Sequence, residues 1–277
     1  MKILMVITGM GLGGAETQLC DVAKEMLRRG HVVHIAWLTG ESGVEIPRGI
    51  KKHPFRIQRS PWGLVKAIVQ LRKLIANIQP DVVHAHMVHG NIIARLTRLL
   101  VPMPRLICTA HSTNEGGRLL MFSYRLTDRL ADITTHVSHH ATAAFIAKGV
   151  AKPSRIITVV NGVDTQRFRP NEVVRENIRS DLGLTKKRVL MTVGRLEYPK
   201  NQASLIRAYA ALCVERSDVH LVLVGDGSLR DELKQLCQQL HLSDRVSFLG
   251  ARSDVPDLLN AADVLIMPSR FEGFGLA

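Results

Sequence analysis

Two cations that follow closely on a strand-like run are the residues of this 277-residue sequence best suited to chemistry. Val189-Leu190-Met191-Thr192-Val193 reads as a β-strand and Gly194 ends it. The loop that follows carries Arg195 and Lys200 before a helical pattern opens near Gln202. In an α/β sheet, anions dock at such a place, because strand carboxyl ends open onto a crevice and helix N-terminal N–H groups point into it. Arginine forks onto phosphate oxygens and lysine acts as a point charge, so the pair suits a diphosphate. The plain alternative is two solvated loop cations.

Other chemically capable residues sit at comparable places. Leu106–Ala110 reads as a strand that delivers His111 and Ser112 at its carboxyl end, which makes His111 a site candidate beside the structural reading of a packed histidine. His84 and His86, two apart, face one side of a strand. With His89 and His111 they suggest zinc, but no carboxylate or thiolate completes a set, and no metal is expected. Pro268-Ser269-Arg270-Phe271-Glu272-Gly273-Phe274-Gly275 is a loop whose glycines permit close approach to a ligand, with the Glu272 carboxylate beside it. Gly9, Gly11, Gly13 and Gly14 form a glycine loop without the G-x-G-x-x-G spacing, so it reads as a close backbone approach or a plain turn.

The elements that position these residues alternate strand and helix. In the first part, strands are expected at 2–8, 32–38, 81–86, 106–110, 132–138 and 155–160. Helices are expected at 17–29, 62–78, 95–102 and 119–130. The stretch 166–187 turns polar and reads as a linker plus one helix. Beyond it, strands at 188–193, 219–224, 246–249 and 264–267 alternate with helices near 202–216, 229–240 and 254–261. This is an α/β chain with parallel sheets, divided into a domain at 1–165, a linker at 166–187 and a second domain at 188–277.

Charge is distributed unevenly. Of the formal net charge of +13, residues 1–165 carry 21 Lys and Arg against 10 Asp and Glu, and the remainder carries 16 against 14. The excess favours an anionic partner, and the basic amphipathic helices at 62–78 and 95–102 offer either a cationic rim for a membrane or a cover for a sheet. Only 4% of residues are aromatic, which argues against single-strand nucleic-acid binding by base stacking. The four cysteines, Cys20, Cys108, Cys213 and Cys237, form no C-x-x-C pair and read as reduced core residues. The apolar opening is short and runs into a glycine loop, so it reads as a first strand rather than a signal peptide. No window reaches the roughly 18 apolar residues of a membrane span, so membrane association is expected to be peripheral.

Taken in order, Gly13-Gly14-Ala15-Glu16, His84-Ala85-His86, His111, Val160-Asn161-Gly162-Val163-Asp164, Gly194-Arg195-Leu196 with Lys200, Val224-Gly225-Asp226-Gly227, Val246 to Gly250 and Pro268 to Gly275 resemble family 4 retaining glycosyltransferases of the GT-B fold. The resemblance covers essentially the whole chain. It implies two Rossmann-like domains facing across a cleft, a nucleotide-diphosphate sugar as donor and no metal or other cofactor. By the resemblance, Arg195 and Lys200 neutralise the leaving diphosphate, His111 hydrogen-bonds the sugar, and Glu272 is the first acidic residue of an E-x7-E motif beside the donor sugar. Gly13, Gly14, Gly194, Gly273, Phe274 and Gly275 are implied to contact substrate. The second glutamate of that motif would fall at position 280, and the sequence ends at Ala277. The expectation is therefore a second domain that is incomplete, with weakened donor binding and stability. The function expected is sugar transfer to a lipid-linked saccharide in surface polysaccharide biosynthesis, in the cytoplasm and peripherally at an anionic inner membrane face, with no nucleic-acid partner. The alternative is an inactive remnant that binds a nucleotide or a partner protein.

Overall fold

In the computed structural model, which describes residues 1–58, 60–113 and 116–277, contacts divide the chain into two units. The first is Met1–Gly162 with Gly273–Leu276, and the second is Val163–Glu272 with Ala277.

The first unit is built around β1 (Lys2–Gly9), whose apolar run is buried on both sides, as a central parallel strand requires. Successive side chains point to opposite faces. Leu4 and Val6 pack with Leu71, Ile75 and Ile93, which lie on α2 (Pro61–Ile78) and α3 (Val88–Thr97). Ile3, Met5 and Ile7 pack with Leu19 and Ala23 of α1 (Gly14–Arg28). The other strands are β2 (Val32–Thr39), β3 (Lys51–Pro54), β4 (Val82–His86), β5 (Leu106–Ala110), β6 (Ile133–His136) and β7 (Ile156–Thr158). Among the described residues they form an all-parallel sheet in the order β3-β2-β1-β4-β5-β6-β7. Tyr124 of α4 (Gly117–Thr127) and Phe145 of α5 (His139–Ala147) share a cluster with Val88 of α3. Helices α2 to α5 therefore cover one face of the sheet and α1 the other, as right-handed crossovers in two directions demand. The first turn of α2 is fixed locally, with the Ser60 hydroxyl accepting from the Gly63 N–H at 3.0 Å and Pro61 opening the helix.

Several expected elements differ. Instead of a helix at 95–102, α3 starts directly after β4 and ends before Pro102. Its Arg95 is fully buried, donating to the Tyr124 carbonyl and to Thr134 Oγ1 at 2.8 Å, with Asp128 at 3.7 Å, so it is no part of a cationic rim. Strand β3 and helix α5 were not expected from the sequence. Cys20, Cys108 and Cys237 are buried thiols, and Cys213 is half-buried.

In the second unit, β8 (Arg188–Val193) pairs with β9 (Val219–Val224) and β11 (Val264–Leu265), and β10 (Val246–Gly250) lies beyond β9. Helices α7 (Gln202–Glu215), α8 (Arg230–Gln239) and α9 (Val255–Ala261) connect them. The stretch expected as linker plus helix holds α6 (Glu172–Asp181), which groups with this unit. Its Arg175 and Arg179 grip Asp263 at 2.6 and 2.5 Å, and the same carboxylate accepts from the Val189 N–H at 2.7 Å.

Candidate active site

In the second unit the loop after β8 is held by its own backbone before any side chain acts. The Leu196 N–H donates to the Asp226 carbonyl at 3.0 Å, the Leu229 N–H to the Leu196 carbonyl at 3.0 Å, and the Gln202 side chain to the Arg195 carbonyl at 3.0 Å. A Cβ at Gly225, whose φ is +135°, would lie 2.0 Å from the Gly194 carbonyl oxygen, and one at Gly227 would lie 2.4 Å from that of Leu196. Both positions must be glycine for the β8 and β9 loops to stack backbone on backbone. Glu197 locks the arrangement by accepting from the Ser228 N–H at 3.1 Å and the Ser228 hydroxyl at 2.9 Å, and these bonds lower its pKa.

On this frame Arg195 is exposed and makes no ion pair among the described residues. The Lys200 stem passes over Gly194, where a Cβ would sit 3.6 Å from Lys200 Cε. The Lys200 ammonium bonds the Glu272 carboxylate, which also accepts from the Ser269 hydroxyl at 2.7 Å. Gly194, Arg195, Lys200 and Glu272 are therefore gathered at the carboxyl ends of β8 and β11. One cation is open and the other is balanced by a carboxylate, leaving a small positive site suited to an anion.

The first unit gathers a chemically different set. His84 and His86 end β4, His111 follows β5 and His136 ends β6. His86 Nδ1 and His111 Nε2 are 3.1 Å apart, His84 Nε2 is 2.7 Å from Thr109 Oγ1, and His136 Nδ1 accepts from the Val137 N–H at 2.8 Å. Burial pushes His111 down to about 3 and His84 and His136 to about 4, and it holds His86 well below its ordinary value. All four are neutral at pH 7, so they exchange hydrogen bonds rather than charge. Met87, next after His86, has φ +64° and ψ 163°, a region nearly reserved for glycine. Among the described residues no group of three His, Cys, Asp or Glu side chains is placed to hold a metal ion.

Gly273, Phe274 and Gly275 group with this first unit. A Cβ on Gly273 would lie 1.8 Å from the His111 carbonyl oxygen, and the Ser138 hydroxyl donates to the Gly273 carbonyl at 2.5 Å. Phe274 is exposed, and Gly275 has φ +75°. Gly13 caps α1 and Gly14 begins it, three residues earlier than expected. A Cβ on Gly13 would meet Glu16 Oε2 at 2.5 Å, and one on Gly14 would meet Leu276 Cδ1 at 3.2 Å. Sequence reasoning missed Glu197, Ser138, Ser269 and Gln202. They lie in three different loops, and nothing in residue type or spacing marks them.

Comparison with known proteins follows the same division. The profile of Glycosyltransferase Family 4 matches residues 12–167, and that of Glycosyl transferases group 1 matches residues 174–277. The chain is 31% identical over 226 residues to the UDP-Gal:alpha-D-GlcNAc-diphosphoundecaprenol alpha-1,3-galactosyltransferase of Escherichia coli, covering 77% of this chain and 58% of that protein. It is 26% identical to a Campylobacter jejuni N-acetylgalactosaminyltransferase named for a diphospho-undecaprenol acceptor, covering 99% and 76%. Among solved structures it is similar to Anabaena HepE in complex with UDP and glucose, with a TM-score of 0.84 at 24% identity over 99% of this chain and 76% of that one. It is also similar to WaaG, a glycosyltransferase involved in lipopolysaccharide biosynthesis, with a TM-score of 0.75 at 20% identity, covering 98% and 75%. The fold is GT-B, and the profile match over more than half its length shows that the chain belongs to Glycosyltransferase Family 4.

Proposed function

We propose that the chain is a retaining glycosyltransferase that moves a sugar from a nucleotide-diphosphate sugar to a lipid-linked saccharide. In this reading it works peripherally at the cytoplasmic face of the membrane in surface polysaccharide synthesis. The observation that carries the reading is the loop after β8, a glycine-stacked backbone that carries both Arg195 and Lys200. When the bond between the anomeric carbon and the donor phosphate breaks, its electron pair leaves with the diphosphate. Fixed cations meet that developing charge without reorganising. The acceptor hydroxyl oxygen then bonds the anomeric carbon, and its proton passes to an oxygen of the departing diphosphate. Glu272 holds the Lys200 ammonium in place and is positioned beside the reacting sugar. His111, neutral at working pH, supplies a hydrogen bond to a sugar hydroxyl, and the Gly13-Gly14 and Gly273–Gly275 backbones come close to substrate. The lipid-linked acceptor is supported by the names of the E. coli and C. jejuni relatives.

The test is incubation of the purified chain with UDP- and GDP-sugars and an undecaprenyl-diphosphate-linked acceptor, followed by analysis of the anomeric configuration of the product. Transfer with retained configuration is expected, and it should disappear when Arg195 and Lys200 are both replaced by alanine. Full transfer by that double variant would remove the mechanism. Nucleotide binding without any transfer would assign the chain as a binding module instead.

A further inference from the structure

The imidazoles of the first unit are anchored in two different ways. His136 is fixed by backbone: its Nδ1 accepts from the Val137 N–H at 2.8 Å, so its single proton lies on Nε2, 3.2 Å from the Ser112 carbonyl oxygen. His86 and His111 are instead joined ring to ring, with His86 Nδ1 and His111 Nε2 3.1 Å apart and the ring planes tilted by only 30°. Both rings are neutral at pH 7. A hydrogen bond between two neutral imidazoles needs one N–H and one lone pair. Either His86 donates from Nδ1 or His111 donates from Nε2.

The far nitrogen of His86 decides between them. His86 is 3% exposed, and its Nε2 is buried with no hydrogen-bond partner among the described residues. Were His111 the donor, the single proton of His86 would lie on that Nε2, as a buried N–H with nothing to accept it. With His86 the donor, the proton is used at Nδ1 and only a lone pair is left at Nε2. A buried N–H without an acceptor is the state that folded proteins avoid. We propose that His86 is a positioning residue that donates from Nδ1 to His111 Nε2 and so holds His111 in the tautomer protonated on Nδ1. His111 then donates from Nδ1 and not from Nε2, and the sugar oxygen it meets is an acceptor. The ring that does the fixing is itself held. His86 lies opposite Thr109 in the pairing of β4 with β5, and the chain leaves β4 through Met87 at φ +64°, whose N–H donates to the Thr109 carbonyl at 3.1 Å. Backbone strain of this kind persists only where the surroundings enforce it. The His84 ring packs against His86 with centroids 4.0 Å apart. The step to sugar binding rests on the preceding reading of His111, whereas the tautomer does not.

The experiment reads the tautomer directly. Two-bond proton–nitrogen correlation spectra of the full chain labelled with nitrogen-15 histidine separate a protonated ring nitrogen from a bare one, and the His111 signals are those that vanish in His111→Asn. At pH 7 His111 is expected to be protonated on Nδ1 and bare on Nε2, and His86 likewise. A proton on His111 Nε2 overturns the proposal without any variant of His86. His86→Leu removes the donor, so His111 should leave that tautomer and transfer should slow about tenfold, while UDP, which carries no sugar, binds within about twofold of the unsubstituted chain. His86→Asn sets an amide N–H where Nδ1 stood, and should restore the Nδ1-protonated signals of His111 and recover transfer to within about threefold. Thermal melting verifies that each variant is folded. Equal transfer by the Leu and Asn variants, or an unchanged His111 tautomer in His86→Leu, overturns the positioning role. Expected tautomers in a chain that transfers no sugar leave His86 as the device that fixes His111 and remove the enzyme reading alone.

Discussion

The two units solve one topological problem with opposite electrostatics. Each places its candidate residues at the carboxyl ends of parallel strands, yet the first presents uncharged imidazoles and the second presents permanent cations. The difference lies in depth. His84, His86, His111 and His136 stand close to the sheet ends, where desolvation strips their charge. Arg195 and Lys200 ride on a loop that lifts them toward water, where a guanidinium and an ammonium keep theirs. One fold thereby offers a set of hydrogen-bonding imidazoles and a positively charged loop.

The strongest way to break this contrast is to remove the charge. With both Arg195 and Lys200 as alanine, transfer should fall at least about a thousandfold with the melting temperature unchanged; a loss of only a few fold would show that the second unit does not act through charge. Next is Asp128→Asn. Asp128 balances the fully buried Arg95 and bonds Arg155 at 3.2 Å, so the change should cost about 3–5 kcal/mol in urea unfolding of the first unit. Gly225→Ala strains a positive φ and pushes into the Gly194 carbonyl, and should cost about 2–3 kcal/mol while abolishing UDP binding.

Acid should separate the units further. The four histidines have folded pKa values below their unfolded value near 6.5, so as pH falls it is the unfolded chain that takes up protons first. The stability they support is complete above about pH 6.5. It declines as pH falls from there toward pH 4, a loss that urea midpoints at pH 7 and 5 would register. The smallest expected effect is Glu272→Gln. Freeing the Lys200 ammonium should tighten UDP binding about two- to fivefold by calorimetry while transfer slows.

Strands β8 and β9 were readable because unbroken apolar runs leave little choice of element, and the loop cations were readable because they follow directly on such a run. Strand β3 was not. Lys51-Lys52-His53-Pro54 has no apolar pattern, and it is a strand only because β2 offers it an edge. Helix α5 opens with two histidines and was obscured by the preceding strand, although Ser138 caps it by accepting from the Ala141 N–H at 3.3 Å. The bond between Lys200 and Glu272 joins residues 72 positions apart, and no spacing rule reaches that far. The glycines at 225 and 227 could be seen as a turn, but the carbonyls they make room for belong to another loop. The two faces of α2 illustrate the same limit. Periodicity identified the buried side, and only the packed structure shows how much tryptophan and valine is left outside.

Because α2 to α5 carry cations without a carboxylate, whereas α1 sets Glu16, Asp21 and Glu25 against Lys24 and Arg28, the two faces of the first unit's sheet differ in charge. A rigid asymmetry of this kind acts before touch. Within a screening distance of about 8 Å at physiological ionic strength, it turns an arriving molecule so that the same side leads. Encounters with a negatively charged body are thus sorted by orientation during approach, which shortens the search that would otherwise follow collision.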